Sequence, residues 1–525
     1  MAADGRLRSP RAGASRPISA ATAVGWLIAA SGVGRLAIAW ADGLCFGESY
    51  YFSCALHPSL SYFDHPPLSI ALGSLSLWLS GGVGRLTLRW PFIALFAGTT
   101  WLMFLLGRRL FGPWAGFFAG LLLNLSPLFA LSVGIFFQPE GPLMFFWLAC
   151  AWCLAHVLVG PPARQPLRWW AGAGAMLGLA MLSKYAAALL VLGAGLHVLT
   201  RRDQRHWLGH PGPYLALAIA ALLFAPVVVW NAQHGWISFI FQSTRGLDDY
   251  AGLRLDWFLR NVAGQSLALL PWLWAALVAE LVVSLASRPP EPARRFIAWL
   301  SVIPIVLFTA VAAYSSTSQH HFHWTAPGYL LLFLPLGDRL ARGLAWGNAW
   351  YRWSLGATAA VSLLVVTVLT THVATGWLRS APVPWAAFPG TEDPTMECID
   401  FTNLERAFAA RGLLDRKDVF VFSDWWFRSG KVDYALKGRL PVLAFTRGDP
   451  RAFAFFDRSE RWIGKDGILV TTKASLTEVT GHFGRYFERV TPLGAVDVGR
   501  GGRSELTLYL YRGETLRAPY PQPYG

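Results

Sequence analysis

Hydrophobic positions along the chain gather into runs close to the ~20 residues needed to cross the hydrocarbon core of a bilayer. These runs cover residues 19–41, 90–107, 113–134, 140–160, 169–183, 185–200, 211–230, 257–286, 296–314, 324–341 and 350–373. They predict about eleven membrane-spanning helices. The least regular step is 169–200, where Lys184 interrupts an apolar stretch that reads either as two spans or as one kinked helix with a re-entrant piece. Residues 68–84 are only moderately apolar and rich in Ser and Gly, which suits an amphipathic helix lying along the interface. After residue 378 the pattern changes: Ala-Pro-Val-Pro and Pro-Gly-Thr-Glu-Asp-Pro form a linker, and charges then recur every few positions. Residues 419–422, 440–445, 468–472 and 506–511 read as strands, and 426–437 as a helix joining the first two. The expected fold class is a polytopic α-helical membrane protein over 1–377 with a small C-terminal α/β soluble domain over 378–525.

Composition agrees, since 54% of the residues are hydrophobic and the mean hydropathy is +0.40. The net charge of +15 changes the picture less than its size suggests. Its basic residues are scattered among short loops, the pattern of topology signals, and this argues against nucleic acid as a partner. With a cytoplasmic N-terminus, 17 basic residues fall at inner span ends (Arg6, Arg8, Arg11, Arg16, Arg108, Arg109, Arg164, Arg168, Arg201, Arg202, Arg205, Arg288, Arg294, Arg295, Arg339, Arg342, Arg352). Only 6 fall outside: Arg85, Arg89, Lys184, Arg245, Arg254 and Arg260. The positive-inside rule therefore puts the loop over 42–89 and the soluble domain on the outer side. The first span is too long for a signal peptide and lacks a small-residue cleavage site, so it reads as a signal anchor. Cys150 and Cys153 lie inside an apolar run and read as core, Cys45 and Cys54 form a candidate disulfide in an oxidising compartment, and Cys398 reads as unpaired.

In this orientation Asp42, Glu48, Asp64, Glu140, Asp248, Asp249 and Asp256 all lie on the outer face. The stretch 47–67 stands out, because it sets Glu48, Asp64 and two histidines among aromatic rings, where an unpaired charge is costly. Each candidate has two readings. Glu48 is a base or a structural partner of Arg85 or Arg89; Asp64 is a base or a cap on the helix that follows. Lys184 binds an anion or snorkels to the headgroups, and Arg245 binds an anion or is an ordinary loop charge. Glu140 contacts substrate or serves as a helix N-terminal acid. Arg35 reads as a snorkelling residue, and the His320, His321, His323 cluster as a weak metal motif without a nearby carboxylate.

Glu48-Ser49-Tyr50-Tyr51-Phe52, followed by Tyr62-Phe63-Asp64-His65-Pro66-Pro67, resembles the first external loop of bacterial membrane glycosyltransferases related to protein O-mannosyltransferases and the lipid A aminoarabinose transferase. Gln138-Pro139-Glu140-Gly141-Pro142-Leu143, Leu182-Ser183-Lys184-Tyr185, the stretch from Trp230-Asn231 through His234, Trp236, Gln242 and Arg245, and His323-Trp324-Thr325-Ala326-Pro327 extend the likeness in the same order. The resemblance implies the GT-C fold of glycosyltransferase family 39 and inversion at the sugar. It also implies transfer of a hexose or pentose from a polyprenyl-phosphate donor to an envelope glycolipid such as lipid A, another glycan or a protein, at the periplasmic face of a bacterial inner membrane. Glu48 and Asp64 are then the catalytic candidates, with His65, Lys184, Arg245, Glu140, Tyr50 and His323 around donor phosphate and substrate. The metal site is unknown; transfer is either metal-independent or assisted by a divalent cation, Mg or Mn. The chemistry fits, because a lipid phosphate leaves as a stable anion and the site needs one base and positive charge.

Gly47 stands where the family loop opens with an acid, leaving Glu48 alone at that point. This keeps a non-catalytic relative in an assembly complex as one alternative. A flippase of lipid-linked sugars is the other, although it would need neither an outer soluble domain nor carboxylates crowded on one face, and no internal repeat is visible.

Overall fold

The computed structural model describes residues 18–244, 252–289, 291–315, 320–380 and 393–524. Arg245, Asp248, Asp249, the basic N-terminal tail and most of the 378–392 linker lie outside them. The helical part runs α1 Ala20–Ala41, α2 Phe46–Leu56, α3 Leu68–Ser80, α4 Arg85–Leu110, α5 Pro113–Leu125 with a π-helical turn at Leu128–Val133, α6 Glu140–Leu158 and α7 Pro166–Ser183. It continues with α8 Leu189–Thr200, α9 Pro211–Gln233, α10 Ile237–Thr244, α11 Leu255–Leu269, α12 Pro271–Ala286, α13 Pro292–Ala312, α14 Ala326–Ala345 and α15 Ala349–Thr375.

Every expected apolar run is helical, but fewer runs make full spans than the eleven expected. Among the described residues six helices are long and apolar enough to cross a membrane, or seven if one bent pair counts as a single span. The difference has local causes. The 257–286 run bends by 106° between α11 and α12, where Leu270 takes φ +72° before Pro271. The 113–134 run breaks at Ser126-Pro127, because proline's ring and missing N–H interrupt the helical ladder. At Lys184 the backbone becomes extended (φ −157°, ψ 138°), which separates α7 from a 3₁₀ turn, Tyr185–Ala188, and from α8. The 68–84 segment forms α3, whose Gly73 lies so close to the Phe137 ring that a Cβ would meet it at 2.4 Å. Arg35 does not snorkel. It is buried, donates to Asn124 Oδ1 (2.9 Å) and the Ala130 carbonyl (3.3 Å), and stacks on Phe96. The bundle closes around Trp147, Leu148, Phe296 and Leu330–Leu334, which are fully buried.

The soluble part adds α16 Asn403–Ala410, β1 Val419–Ser423, α17 Trp426–Ala435, β2 Val442–Ala444, β3 Asp466–Thr471, β4 Phe487–Arg500 and β5 Arg503–Leu516. The sheet order is β2-β1-β3-β5-β4, with β1 parallel to β2 and β3, and β5 antiparallel to β3 and β4. β4 was not expected from the sequence. Pro492 and Gly494 break its alternation, and its register with β5 shifts there. One hydrophobic core joins this domain to the 42–89 loop: Tyr50, Phe52 and Phe63 pack with Leu404, Val421, Val432 and Ile468.

That seam is also cross-linked. Cys45 bonds to Cys398, not to Cys54, which is free and buried. Cys54 lies on the face of α2 turned into the core, whereas Cys45 at the head of that helix faces the soluble domain. Lys431 of α17 reaches across to the carbonyls of Leu44 and Ile399 (2.7 Å for the latter), and burial pulls its ammonium down to about 7 against the opposing pull of Asp400 and Glu48. Arg85 pairs with Asp400.

Candidate active site

The 42–89 loop carries two carboxylates with different surroundings. Glu48, at the third position of α2, accepts the Cys45 amide (3.0 Å), the Phe137 amide (3.0 Å) and a bidentate fork from Arg89 (Nε to Oε1 2.7 Å, Nη2 to Oε2 2.6 Å). Arg89 spends its other three N–H groups on the carbonyls of Ala39, Asp42 and Gly43 (3.2, 2.9 and 2.8 Å). All five guanidinium donors are satisfied, and both groups are buried. Glu48 therefore fastens the loop's root to α4 and has no lone pair directed at a substrate. Of the two partners considered for it, Arg89 is the one found. Gly47 leaves room beside it, since the nearest atom to a Cβ there is the Tyr51 ring at 4.0 Å.

Asp64 sits at the loop's tip and is 0% exposed. Its Oδ1 accepts from the Tyr50 hydroxyl (2.8 Å), its Oδ2 from Arg451 Nη1 (2.9 Å), and its backbone carbonyl from Gln242. It does not cap α3, where Pro67 precedes the first turn without a side-chain cap. His65 follows, with Nε2 3.8 Å from Asp64 Oδ2 and its ring edge-on to Tyr51 at 5.5 Å.

The third group lies across His65. Glu140, at the N-terminal end of α6, ion-pairs with Lys184 at the α7–α8 break and lies 3.9 Å from His323 Nε2 on the turn before α14. His65 is within electrostatic range of Glu140, so the two groups are neighbours. Exposure increases across the cluster: the side chain of Asp64 is 1% exposed, His65 11%, Lys184 17% and His323 33%. The reachable members are thus basic, and the carboxylates stand behind them. The break at Lys184 puts its ammonium there, because α7 ends one residue earlier and the extended residue points its side chain at the start of α6.

Of the residues expected from the sequence, Asp64, His65, Tyr50, Glu140, Lys184 and His323 come together; Glu48 stands apart, and Arg245 lies outside the described residues. Among the described residues no group of three or more His, Cys, Asp and Glu could hold a metal ion. The residue missed is Arg451. The sequence signal was a turn, Asp449-Pro450-Arg451, next to Phe453-Ala454-Phe455-Phe456, an apolar patch suited to docking on an aromatic loop.

Residues 64–230 match the family model described as dolichyl-phosphate-mannose-protein mannosyltransferase. No curated protein matches significantly. The crystal structure of ArnT from Cupriavidus metallidurans in the apo state matches with TM-score 0.64 at 16% identity, covering 94% of this chain and 98% of that one. The same protein bound to undecaprenyl phosphate matches with TM-score 0.61 at 16% identity, over 93% and 98%. At this identity the likeness establishes a shared fold, the GT-C fold expected from the sequence, for a multi-pass helical chain with a small C-terminal sheet domain.

Proposed function

We propose that the protein is a polyprenyl-phosphate-dependent glycosyltransferase that moves a hexose or pentose, with inversion, onto an envelope glycolipid, glycan or protein at the periplasmic face of a bacterial inner membrane. The observation that carries this reading is the gathering of Lys184 and His323 on Glu140, with His65 against Asp64, on the side of the bundle where the C-terminal domain docks. A family match named for mannosyl transfer and a fold shared with an ArnT structure that binds undecaprenyl phosphate support it.

Lys184 has three N–H donors and gives one to Glu140, which leaves donors for phosphate oxygens; His323 adds another basic group at hydrogen-bonding reach of the same space. In the transfer step the acceptor oxygen attacks C1 of the sugar from the face opposite the phosphate. The C1–O bond to phosphate breaks and its electron pair leaves with the phosphate. A hydroxyl acceptor gives its proton to a base, and His65 fits that role because its side chain is more accessible than that of Asp64; its Nδ1 is buried, so Nε2, 3.8 Å from Asp64 Oδ2, is the nitrogen that takes the proton. Asp64 then orients the base, and Glu48 is scaffold. A resident Mg or Mn does not fit these groups. A divalent cation needs several uncommitted oxygens, whereas Glu48, Asp64 and Glu140 are each taken by Arg89, Arg451 and Lys184.

The test is a transfer assay with purified protein, undecaprenyl-phosphate-linked mannose and aminoarabinose as donor probes, and envelope lipid extract as acceptor. Release of undecaprenyl phosphate with a glycosylated product is expected; none with either donor overturns the reading. Orientation is tested by a reporter active only in the cytoplasm, fused after Gly525, which should be silent.

A further inference from the structure

The soluble domain sends one charged side chain into the loop of the helical domain. Arg451 follows Asp449-Pro450 on a turn where it takes φ +49°, a left-handed conformation unfavourable for a non-glycine residue. Asp449 fixes that turn by accepting the Arg451 amide (3.1 Å) and Nε (3.1 Å). The guanidinium stacks 4.0 Å over the Trp426 ring and gives Nη1 to Asp64. The next residue closes a circuit: the Ala452 amide donates to the Tyr50 hydroxyl (3.3 Å), and that hydroxyl donates to Asp64. Asp64 is thus held by the four-residue stretch 449–452, directly through Arg451 387 positions away and indirectly through Tyr50, and its Oδ2 also faces His65.

We propose that Arg451 is a positioning residue of the transfer site: through Asp64 it fixes the charge and orientation of His65, so that the soluble domain completes the site. This rests on the glycosyltransferase reading above. The titratable and charged groups facing Asp64 are Tyr50 and Cys54 from α2, His65 from the loop, Tyr185 beyond the α7 break, and Arg451 with Asp449 from the soluble domain. Among the described residues Arg451 is the arginine that ion-pairs with the carboxylate. Without it, Asp64 either takes up a proton at higher pH or stays charged and holds a proton on His65 to higher pH. The first outcome removes the charge that stabilises a proton arriving on His65 and the second keeps His65 protonated, so either way the working pair of ionised Asp64 and neutral His65 is lost from the acidic side.

The experiment compares full-length wild type with Arg451→Lys, Arg451→Gln and Arg451→Met. It measures kcat and KM for undecaprenyl-phosphate-linked sugar from pH 5 to 9, with folding checked by thermal unfolding and an intact Cys45–Cys398 bond. For the two neutral variants kcat at pH 7 is expected to fall ~10-fold or more with donor KM nearly unchanged. Their acidic limb is expected to move up by about 1 pH unit or more. Arg451→Lys is expected to keep the wild-type limb and recover most of the rate. A folded neutral variant with an unmoved limb overturns the proposal and leaves the glycosyltransferase reading standing. If only Arg451→Lys folds, the contact serves docking and the proposal also falls. A wild type inactive with every donor removes both.

Discussion

The root and the tip of the 42–89 loop both present a buried carboxylate to an arginine, yet they are built for different tasks. At the root, Glu48 and Arg89 exhaust each other: five guanidinium donors meet five acceptors, and two backbone amides fill the carboxylate. At the tip, Asp64 is also paired, but it adjoins a histidine that continues outward to Glu140, Lys184 and His323. A charge whose partners are all internal fixes geometry. A charge that ends in a row of increasingly exposed basic groups can pass its influence to a ligand. Burial and pairing alone do not separate the two cases; what separates them is where the neighbours lead.

This contrast can be broken most forcefully at the root. Arg89→Met leaves Glu48 buried without its cation, and loss of ~3–5 kcal/mol of stability is expected, read as loss of folded protein in a thermal unfolding series. The Glu48→Gln, Arg89→Met double variant should recover part of it. If the single variant folds like wild type, the root is not scaffold.

At the tip the effect should fall on turnover. His65→Ala, still folded, is expected to slow transfer to a hydroxyl acceptor by ~10²–10⁴, while Glu48→Gln acts mainly through stability. Equal kinetic damage from the two would erase the distinction. Further out, Lys184→Ala should weaken binding of undecaprenyl phosphate by ~2–4 kcal/mol, because Glu140 loses its cation and the phosphate a donor. Unchanged affinity in a lipid-binding assay would remove the anion site from this cluster.

The smallest expected effect concerns the seam. Asp433 on α17 is buried against α2, and burial pushes its carboxyl up to about 7, with the nearby Ser53 pulling weakly the other way. A raised folded-state value means that its contribution to stability is full below about 4, where the unfolded carboxyl is also protonated. It is lost as pH rises to about 7. Thermal midpoints measured at pH 5, 6 and 7 should therefore fall in wild type and fall less in Asp433→Asn. A slope that the substitution leaves unchanged would mean that Asp433 is not the group responsible.

By itself the sequence determined the local elements: apolar period and length gave the helices, Lys184 marked the α7–α8 break, and the motif residues Asp64, His65, Glu140, Lys184 and His323 carried the site's composition. These are legible because periodicity, caps and breakers act within a few residues. Only the tertiary structure decided which charges are spent. Glu48 chose Arg89 over Arg85 through the crossing of α2 and α4, and the bend at Leu270 turned one expected span into two arms. Cys45 met Cys398 across 353 residues, and Asp64 met Arg451 across 387. No local pattern encodes pairings at that separation. They follow from the soluble domain packing its Trp426 face onto the aromatic loop, a fit set by the shape of a shared core.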